Sequence, residues 1–250
     1  MGLKNGNTRG SLRNISSVSA VPDNAKHRWK LDAETGINNF VDFIGVADST
    51  DSVGITMSQD KSYQNGYYGL SDGVDDYVQT TALGDFGRNI GSGFALGFTI
   101  NAQDTAGAPM GTFAGVGMNF AVEFGGFDAP SSGLALALND ANSAPLGLSM
   151  DNGINTGTDY RFLWNAPNGS DVSTWDAYID NGIISTTVSE NTVYPDWENF
   201  SSSNPFTLFA RTKNGSVGKY FNGILDDVII YSSALSDPQI TQDYEMQPWT

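Results

Sequence analysis

The chain has 250 residues, no cysteine and a net charge of −16, from 28 acidic and 12 basic residues. Without cysteine it has neither a disulfide framework nor a thiolate ligand for a metal. A surface this acidic repels nucleic acids and anionic membranes, and it suits high-salt or marine surroundings, where screening limits the repulsion between carboxylates. No run of residues approaches the roughly 18 to 20 consecutive apolar positions of a membrane helix, so we expect no membrane insertion.

Residues 1–24 are rich in Asn, Ser and Gly and lack hydrophobic periodicity, which predicts a flexible N-terminal arm. Lys4, Arg9 and Arg13 make this arm basic, whereas the rest of the chain is strongly acidic. We therefore expect the arm to dock on an acidic partner, either a capsid or fibre protein or a second copy of the chain. An inert tail is the alternative. The arm lacks the apolar stretch of a secretory signal.

Residues 25–250 are expected to form one domain, because all-β domains of this size stay single. About a dozen short apolar runs alternate with turn residues, and no long segment has helical periodicity, so the pattern predicts a two-sheet antiparallel sandwich. Asn181-Gly182 between β-rich runs predicts a tight hairpin. Only residues 236–246 are expected to be helical, with Ser236 as N-cap and Pro238 in the first turn.

Several segments match one known family in the order in which the family has them. Residues 27–32 resemble its first strand, and residues 178–182 resemble its Tyr-Val-Asp-Gly hairpin. Residues 72–78 read Asp-Gly-Val-Asp-Asp-Tyr-Val, and residues 221–231 read Phe-Asn-Gly-Ile-Leu-Asp-Asp-Val-Ile-Ile-Tyr. Together they resemble the laminin-G-like, concanavalin-A-like jelly-roll family. The resemblance implies an all-β, two-sheet antiparallel jelly-roll sandwich with a short C-terminal helical turn.

The same fold carries lectins, glucanases, adhesins and structural proteins, so the resemblance leaves function open. Related sandwiches often hold a structural calcium near the first and last strands, and Asp32 and Asp226 match those places. Calcium takes carboxylate and carbonyl oxygens, which this chain supplies in abundance. The alternative is that Asp32, Asp72, Asp75 and Asp226 cap turns or accept hydrogen bonds from backbone amides.

Catalytic chemistry finds little support in the sequence. A retaining glucanase of this fold carries Glu-x-Asp-x-x-Glu on one strand, which sets its carboxyls about 5 Å apart. The glutamates form no such triplet; they are Glu34, Glu123, Glu190, Glu198 and Glu245. His27 is the only histidine, and we expect it to be packed or hydrogen-bonded at a sheet end. We therefore expect no enzyme, with a divergent glycosidase as the alternative.

Sugar binding usually combines an exposed aromatic platform with amides or carboxylates that bond hydroxyls. One candidate loop offers this combination in Tyr194, Asp196, Trp197, Glu198 and Asn199, and a second candidate is the pair Tyr67 and Tyr68. A loop aromatic tucked over a sheet edge is the alternative for Trp197. Three further tryptophans lie in strand-like runs and are expected in the core: Trp29, Trp164 and Trp175.

These observations predict a non-catalytic surface or binding module. The basic arm on an acidic, glycan-facing type of fold favours a structural protein of a phage or archaeal virus, such as a capsid decoration, turret or fibre. Such a protein reaches the virion surface or the extracellular space by assembly and release, and it could bind a glycan or a host surface. A secreted lectin or adhesin is the main alternative.

Overall fold

The computed structural model describes residues 21–31, 40, 42–45, 48–59, 67–85, 93–113, 119–125, 131–139, 145–151, 153–167, 172–189, 201–213 and 215–246. Within these residues there are eighteen β-strands, a short 3-10 helix at Val172–Thr174 and one α-helix, α1 (Asp237–Glu245). The strands in chain order are β1 (Ala25–Trp29), β2 (Ser49–Val53), β3 (Thr56–Gln59), β4 (Tyr67–Asp72), β5 (Tyr77–Asp85), β6 (Phe94–Ala102), β7 (Met110–Phe113), β8 (Asn119–Phe124), β9 (Leu134–Asn139), β10 (Pro145–Met150), β11 (Tyr160–Ala166), β12 (Asp176–Ile179), β13 (Gly182–Ile184), β14 (Thr186–Ser189), β15 (Ser201–Leu208), β16 (Arg211–Lys213), β17 (Ser216–Gly218) and β18 (Asn222–Tyr231).

The strands form two sheets. The first has eight strands in the order β13-β12-β11-β6-β18-β4-β3, with β1 also paired to β18. The second has ten strands; its main order is β14-β10-β9-β8-β7-β15-β5-β2, and β16 and β17 extend it beside β7. All described pairings are antiparallel except the short one between β16 and β7. The prediction of a two-sheet antiparallel sandwich is confirmed.

The main core lies between the two sheets, because its buried side chains come from both. Trp29 of β1, for example, stacks on Phe206 of β15 in the opposite sheet, with 5.8 Å between ring centroids. All three tryptophans expected in the core are buried there: Trp29, Trp164 and Trp175. Their burial confirms that these tryptophans are core residues.

A second, smaller core lies on the outer face of the eight-stranded sheet. Ala95, Leu163 and Ile229 project there, since each neighbours a residue that faces the main core. Helix α1 covers them with Ile240, and Ser236 caps its start by donating its backbone N–H to Gln239 Oε1 at 3.0 Å. The helix lies within the predicted 236–246. No helix among the described residues has the length and apolar character needed to cross a membrane.

The predicted hairpin is present, but its turn lies one residue earlier than expected. Ile179 is paired with Gly182, so the two turn residues are Asp180 and Asn181, with φ angles of 50° and 64°. Positive φ at both positions is the requirement of a type I′ turn, which matches the twist of the flanking strands. Asp and Asn tolerate this conformation better than most side chains, which explains why the glycine is displaced into β13.

Candidate ligand-binding cavity

An open cavity of about 510 Å³ lies on the outer face of the eight-stranded sheet, where β3, β4 and β18 are adjacent. The strand alternation establishes which face this is. Leu225 belongs to the main core, and a side chain at Gly69 would collide with the buried Phe209 ring. Their neighbours Leu70 and Ile224 therefore project outward. The cavity is lined by Gly54, Thr56, Tyr68, Leu70, Ser71, Asp72, Asp76, Gln103, Asn222 and Ile224.

The register between strands brings these side chains together from distant parts of the sequence. Leu70 is paired with Ile224 and with Thr56 on its other side, which gives a largely apolar row across three strands. Asp72 is paired with Asn222 at the end of the same strands. Tyr68, two residues before Leu70 in β4, projects on the same face. The cavity thus has an aromatic and aliphatic floor and a polar end.

The two amides of the cavity are held by hydrogen bonds on its rim. Asn222 Nδ2 donates to Asp104 Oδ2 at 3.1 Å, and Gln103 Nε2 donates to Asn101 Oδ1 at 3.0 Å. The amide oxygens of Asn222 and Gln103 accept no hydrogen bond within the described part of the chain. Both oxygens are therefore available to a ligand that donates hydrogen bonds.

Three carboxylates cluster at the polar end. Oxygens of Asp72, Asp75 and Asp76 lie within 4.8 Å of one another. Asp72 Oδ1 accepts the backbone N–H of Val74 at 2.8 Å, and Asp76 Oδ2 accepts that of Asp72 at 2.8 Å. Gly54 borders the cluster at φ +70°, where any side chain would overlap Asp76 Oδ1. Asp72 therefore caps its own turn, which is the role that the sequence predicted for it as the alternative to calcium binding.

Burial raises the pKa of Asp76, and the negative charges of Asp72 and Asp75 add to this rise. The hydrogen bond from the backbone of Asp72 opposes it by favouring the charged form. Chemically, these three carboxylates could hold a hard cation, because calcium prefers oxygen ligands, or they could accept hydrogen bonds from the hydroxyls of a ligand.

The sequence-predicted site residues have different positions relative to the cavity. Tyr68 lines it, and Tyr67 lies beside Tyr68 in β4, paired with Gln59. The candidate loop with Tyr194, Asp196, Trp197, Glu198 and Asn199 lies outside the described residues, as do Lys4, Arg9, Arg13 and Asp32. The roles assigned to all of them stay predictions.

Asp226, the second expected calcium ligand, is buried in β18. Its Oδ1 accepts the backbone N–H of Asp227 at 2.8 Å, at a point where the pairing of β18 with β6 shifts register. This hydrogen bond is the alternative role expected for Asp226, and a calcium ligand there stays a prediction because its partner Asp32 is not described.

His27 has the structural environment that was expected of it. The side chain is buried, Nδ1 lies 2.5 Å from Asp42 Oδ2, and the ring stacks on Trp29 with 5.6 Å between centroids. Asp42 is itself held by backbone N–H groups, including those of Arg28 and Gly45, on its other oxygen. The prediction of a packed, hydrogen-bonded histidine is confirmed.

Tyr68 is the one lining residue that the sequence predicted as a sugar ligand, and the lining residues that the prediction missed include Thr56, Leu70, Gln103, Asn222 and Ile224. The sequence contains a pattern that could have identified some of them, in β4 and in β18. The alternation Tyr68-x-Leu70-x-Asp72 and the pair Asn222-x-Ile224 each set polar and apolar groups on one strand face. What the sequence could not supply is the pairing of β4 with β18, because these strands are about 150 residues apart.

Comparison with solved structures finds many chains of similar architecture. Domain 4 of an extracellular GH43 arabinanase from Geobacillus stearothermophilus, solved in complex with arabinotriose, is 13% identical with a TM-score of 0.57, over 89% of this chain and 100% of that one. The binding domain of Paraclostridial Mosquitocidal Protein 1 is 11% identical with a TM-score of 0.61. The receptor-binding domain of a botulinum neurotoxin of C/D mosaic serotype is 14% identical with a TM-score of 0.60.

The chain has a jelly-roll β-sandwich fold. Each toxin domain aligns with 89% of the chain, which in turn spans about half of their length, 52% and 51%. No protein-family model matches the sequence, and no curated protein does either. At these identities the likeness shows the fold alone, so the predicted jelly roll is confirmed while membership of the laminin-G-like family stays a prediction.

Proposed function

We propose that the chain is a non-catalytic carbohydrate-binding module and that the cavity between β3, β4 and β18 is its sugar site. One observation carries the proposal: Tyr68 and an aliphatic row share a single cavity with two carboxylates and two amide oxygens. Sugars present apolar C–H faces that pack on aromatic rings and hydroxyls that bond polar groups. The volume of about 510 Å³ falls within the range of small-molecule sites.

The comparisons support this proposal. One domain of similar fold was solved in complex with arabinotriose, and two others are binding domains of toxins. The similarity to the arabinanase domain extends over the whole of that domain. Binding is therefore a role that this architecture performs in other proteins, and arabinotriose is a reasonable first probe.

Binding is favoured over hydrolysis by the state of the two cavity carboxylates. Asp72 and Asp76 each accept a backbone N–H of their own loop, an arrangement that the turn itself requires. A glycosidase needs one carboxyl to donate a proton and the other to attack or activate water, on opposite sides of the sugar. Two carboxylates on one short loop are poorly suited to that division of roles.

A glycan array that includes arabinotriose, followed by calorimetry, tests the proposal. Tyr68→Ala should weaken binding about fivefold or more, because stacking of a sugar on an aromatic ring contributes on the order of 1 kcal/mol or more. Ile183→Ala, which removes an exposed apolar side chain at the opposite edge of the same sheet, should leave affinity unchanged. Absence of binding on the array, or binding that survives Tyr68→Ala, would contradict the proposal. Reducing-sugar release that depends on Asp72 or Asp76 would favour the glycosidase alternative.

We further propose that the module works on the surface of a virion and is held there by residues 1–24. The support is electrostatic: Lys4, Arg9 and Arg13 lie in a chain whose net charge is −16. Opposite charges of this kind guide encounter and fix register between partners. A secreted lectin or adhesin remains the alternative function, and mass spectrometry of native particles and of the secreted fraction separates the two.

Removal of residues 1–20 tests the docking role and keeps Val21, which packs on the outer core, and Pro22, whose carbonyl accepts the Ala25 N–H. We expect the melting temperature of the remaining chain to stay almost unchanged, while incorporation into particles or oligomers is lost. A matched variant that replaces Lys4, Arg9 and Arg13 by Gln keeps the length of the segment and removes its charge. Normal assembly of the truncated chain would contradict the docking role, and assembly of the Gln variant alone would assign docking to something other than charge.

A further inference from the structure

The described lining of the cavity is negatively charged and rich in hydrogen-bond acceptors. It contains Asp72 and Asp76, with Asp75 beside them, and it contains no Lys, Arg or His. Asp104, which holds Asn222 on the rim, adds a further acidic group nearby. The charged side chains among the described lining residues are therefore all negative.

Several polar lining groups use a hydrogen within the protein. Asn222 and Gln103 each use their amide nitrogen as a donor to a neighbouring residue. The Ser71 hydroxyl donates its one hydrogen to the carbonyl of Phe221 at 2.6 Å. The two carboxylates, when ionised, only accept. The second N–H of each amide remains for a ligand, so the lining offers neutral donors but no cationic donor that would pair with an anionic group.

Burial increases the effect of this charge. Asp76 is only 5% exposed, and charges that are partly withdrawn from water are screened less by solvent and salt than surface charges are. A carboxylate or sulfate group on a sugar would be repelled by Asp72 and Asp76 and would lose hydration without gaining a cationic partner from the described lining. A hydroxyl or an ammonium group would instead form charge-assisted hydrogen bonds with them.

From this juxtaposition of acceptors and negative charge we infer that the cavity selects neutral and amino sugars and rejects uronate, sialylated and sulfated glycans. The inference rests on the proposed function and specifies its ligand class. It applies to the module on its own, without a divalent cation that would bridge a carboxylate on the sugar to the cluster. All measurements that test it are therefore made in the presence of a chelator.

The test uses an array with neutral, amino and anionic oligosaccharides, and titrations with chitosan tetramer, N-acetylated chitotetraose and a galacturonate tetramer as representatives. We expect bound probes to be neutral or amino sugars, with binding of amino sugars weakened by added salt. Asp72→Asn keeps an oxygen for the N–H of Val74 but removes the charge, so it should weaken binding of amino probes about tenfold. Asp237→Asn on α1 removes the same charge at the other end of β18 and should have no effect.

The possible outcomes separate the inference from the function on which it rests. An anionic glycan bound as tightly as neutral ones, and lost in Tyr68→Ala, would overturn the charge selectivity while leaving the sugar site in place. Equal binding of amino probes by the parent and Asp72→Asn would do the same. Absence of any bound glycan, or binding that is insensitive to Tyr68→Ala, would overturn the sugar site and the selectivity with it.

Discussion

Arg161 in the middle of the eight-stranded sheet holds Asp243 of helix α1 through two hydrogen bonds, Nε to Oδ2 at 3.0 Å and Nη2 to Oδ1 at 2.6 Å. Both side chains are almost completely buried. The Tyr231 hydroxyl donates to the same carboxylate at 2.5 Å, and Arg161 Nη1 donates to the carbonyl of Asp227 at 2.7 Å. This network fixes α1 on the sheet, next to the apolar contacts of Ile240.

Asp243→Asn should destabilise the protein by about 3 to 5 kcal/mol, because it removes the closer of the two charges that pair with the buried guanidinium of Arg161 and leaves only Asp227 Oδ2 at 3.9 Å. Urea unfolding followed by tryptophan fluorescence measures the change. Glu245→Gln, an exposed substitution on the same helix, should change stability by about 0.5 kcal/mol or less. Equal effects of the two variants would show that the Arg161–Asp243 pair contributes nothing specific.

The same network predicts a loss of stability in alkali. Burial raises the pKa of Tyr231 well above its ordinary value of 10.0, and the charge of Asp243 raises it further. A raised pKa in the folded state means that stability is fully present below pH 10 and is lost as pH rises toward the folded pKa. Tyr231→Phe should unfold more easily at pH 7, by about 1 to 3 kcal/mol, but should lose less stability than the parent above pH 10. Parallel alkaline curves would contradict the prediction.

The raised pKa of Asp76 predicts that stability depends on pH in the acidic range. Because burial raises its pKa above the ordinary 3.8, protonated Asp76 suits the folded state better than the carboxylate does. Its contribution to stability is present below about pH 3.8 and is lost as pH rises through the raised pKa. Asp76→Asn, which resembles the protonated form, should melt about 2 °C higher than the parent at pH 7 and equally at pH 3, measured calorimetrically in chelator. A lower melting temperature at pH 7 would disprove this account.

The β12–β13 turn offers a prediction on backbone conformation. Asn181 has a φ of 64°, a region that costs ordinary side chains roughly 1 to 2 kcal/mol. Asn181→Ala should therefore lower the free energy of unfolding by about 1 kcal/mol, and Asn181→Gly should leave it nearly unchanged or raise it. Denaturant unfolding of the two variants gives the comparison, and identical values would mean that the turn carries no such preference.

Calcium binding at Asp32 and Asp226 remains our proposal from the sequence. An ion that binds only the folded chain stabilises it by about 2.7 kcal/mol at a hundredfold excess over its dissociation constant, so chelation should lower the melting temperature. Asp226→Asn should abolish the response to added calcium, and Asp75→Asn should retain it. If Asp75→Asn instead loses the response of the melting temperature to calcium, the ion binds at the cluster of Asp72, Asp75 and Asp76. An unchanged melting temperature after exhaustive chelation would contradict calcium binding at either place.

Local features of the fold were predictable because they depend on neighbouring residues. Turn chemistry located the β12–β13 hairpin to within one residue, and the N-cap Ser236 with Pro238 located α1. Alternation and bulk placed Trp29 and Trp164 in the core. The exact turn is one residue earlier because Ile179 pairs with Gly182, so Asp180 and Asn181, which tolerate positive φ, occupy the two turn positions.

The cavity was only partly predictable. Tyr68 was identified from its chemistry. Segments 72–78 and 221–231 were singled out by their resemblance to a known family, but which of their side chains share the cavity depends on the register of β4 with β18. A shift of one residue in that register would turn Ile224 and Asn222 toward the main core. Sequence periodicity sets which residues share a strand face, whereas long-range pairing decides which faces meet.

The position of β18 has a consequence for biosynthesis. It is the last strand among the described residues, yet it lies inside the eight-stranded sheet, bonded to β6 on one edge and to β4 and β1 on the other. Ala25 therefore cannot form its strand pairing until Tyr231 has been synthesised. Such distant pairings slow folding, and domains that emerge from the ribosome before their closing strand expose unpaired edges. Cotranslational folding of this half of the sandwich is therefore blocked until the C-terminal segment has been made, and a nascent chain stalled before Asn222 would be prone to aggregate.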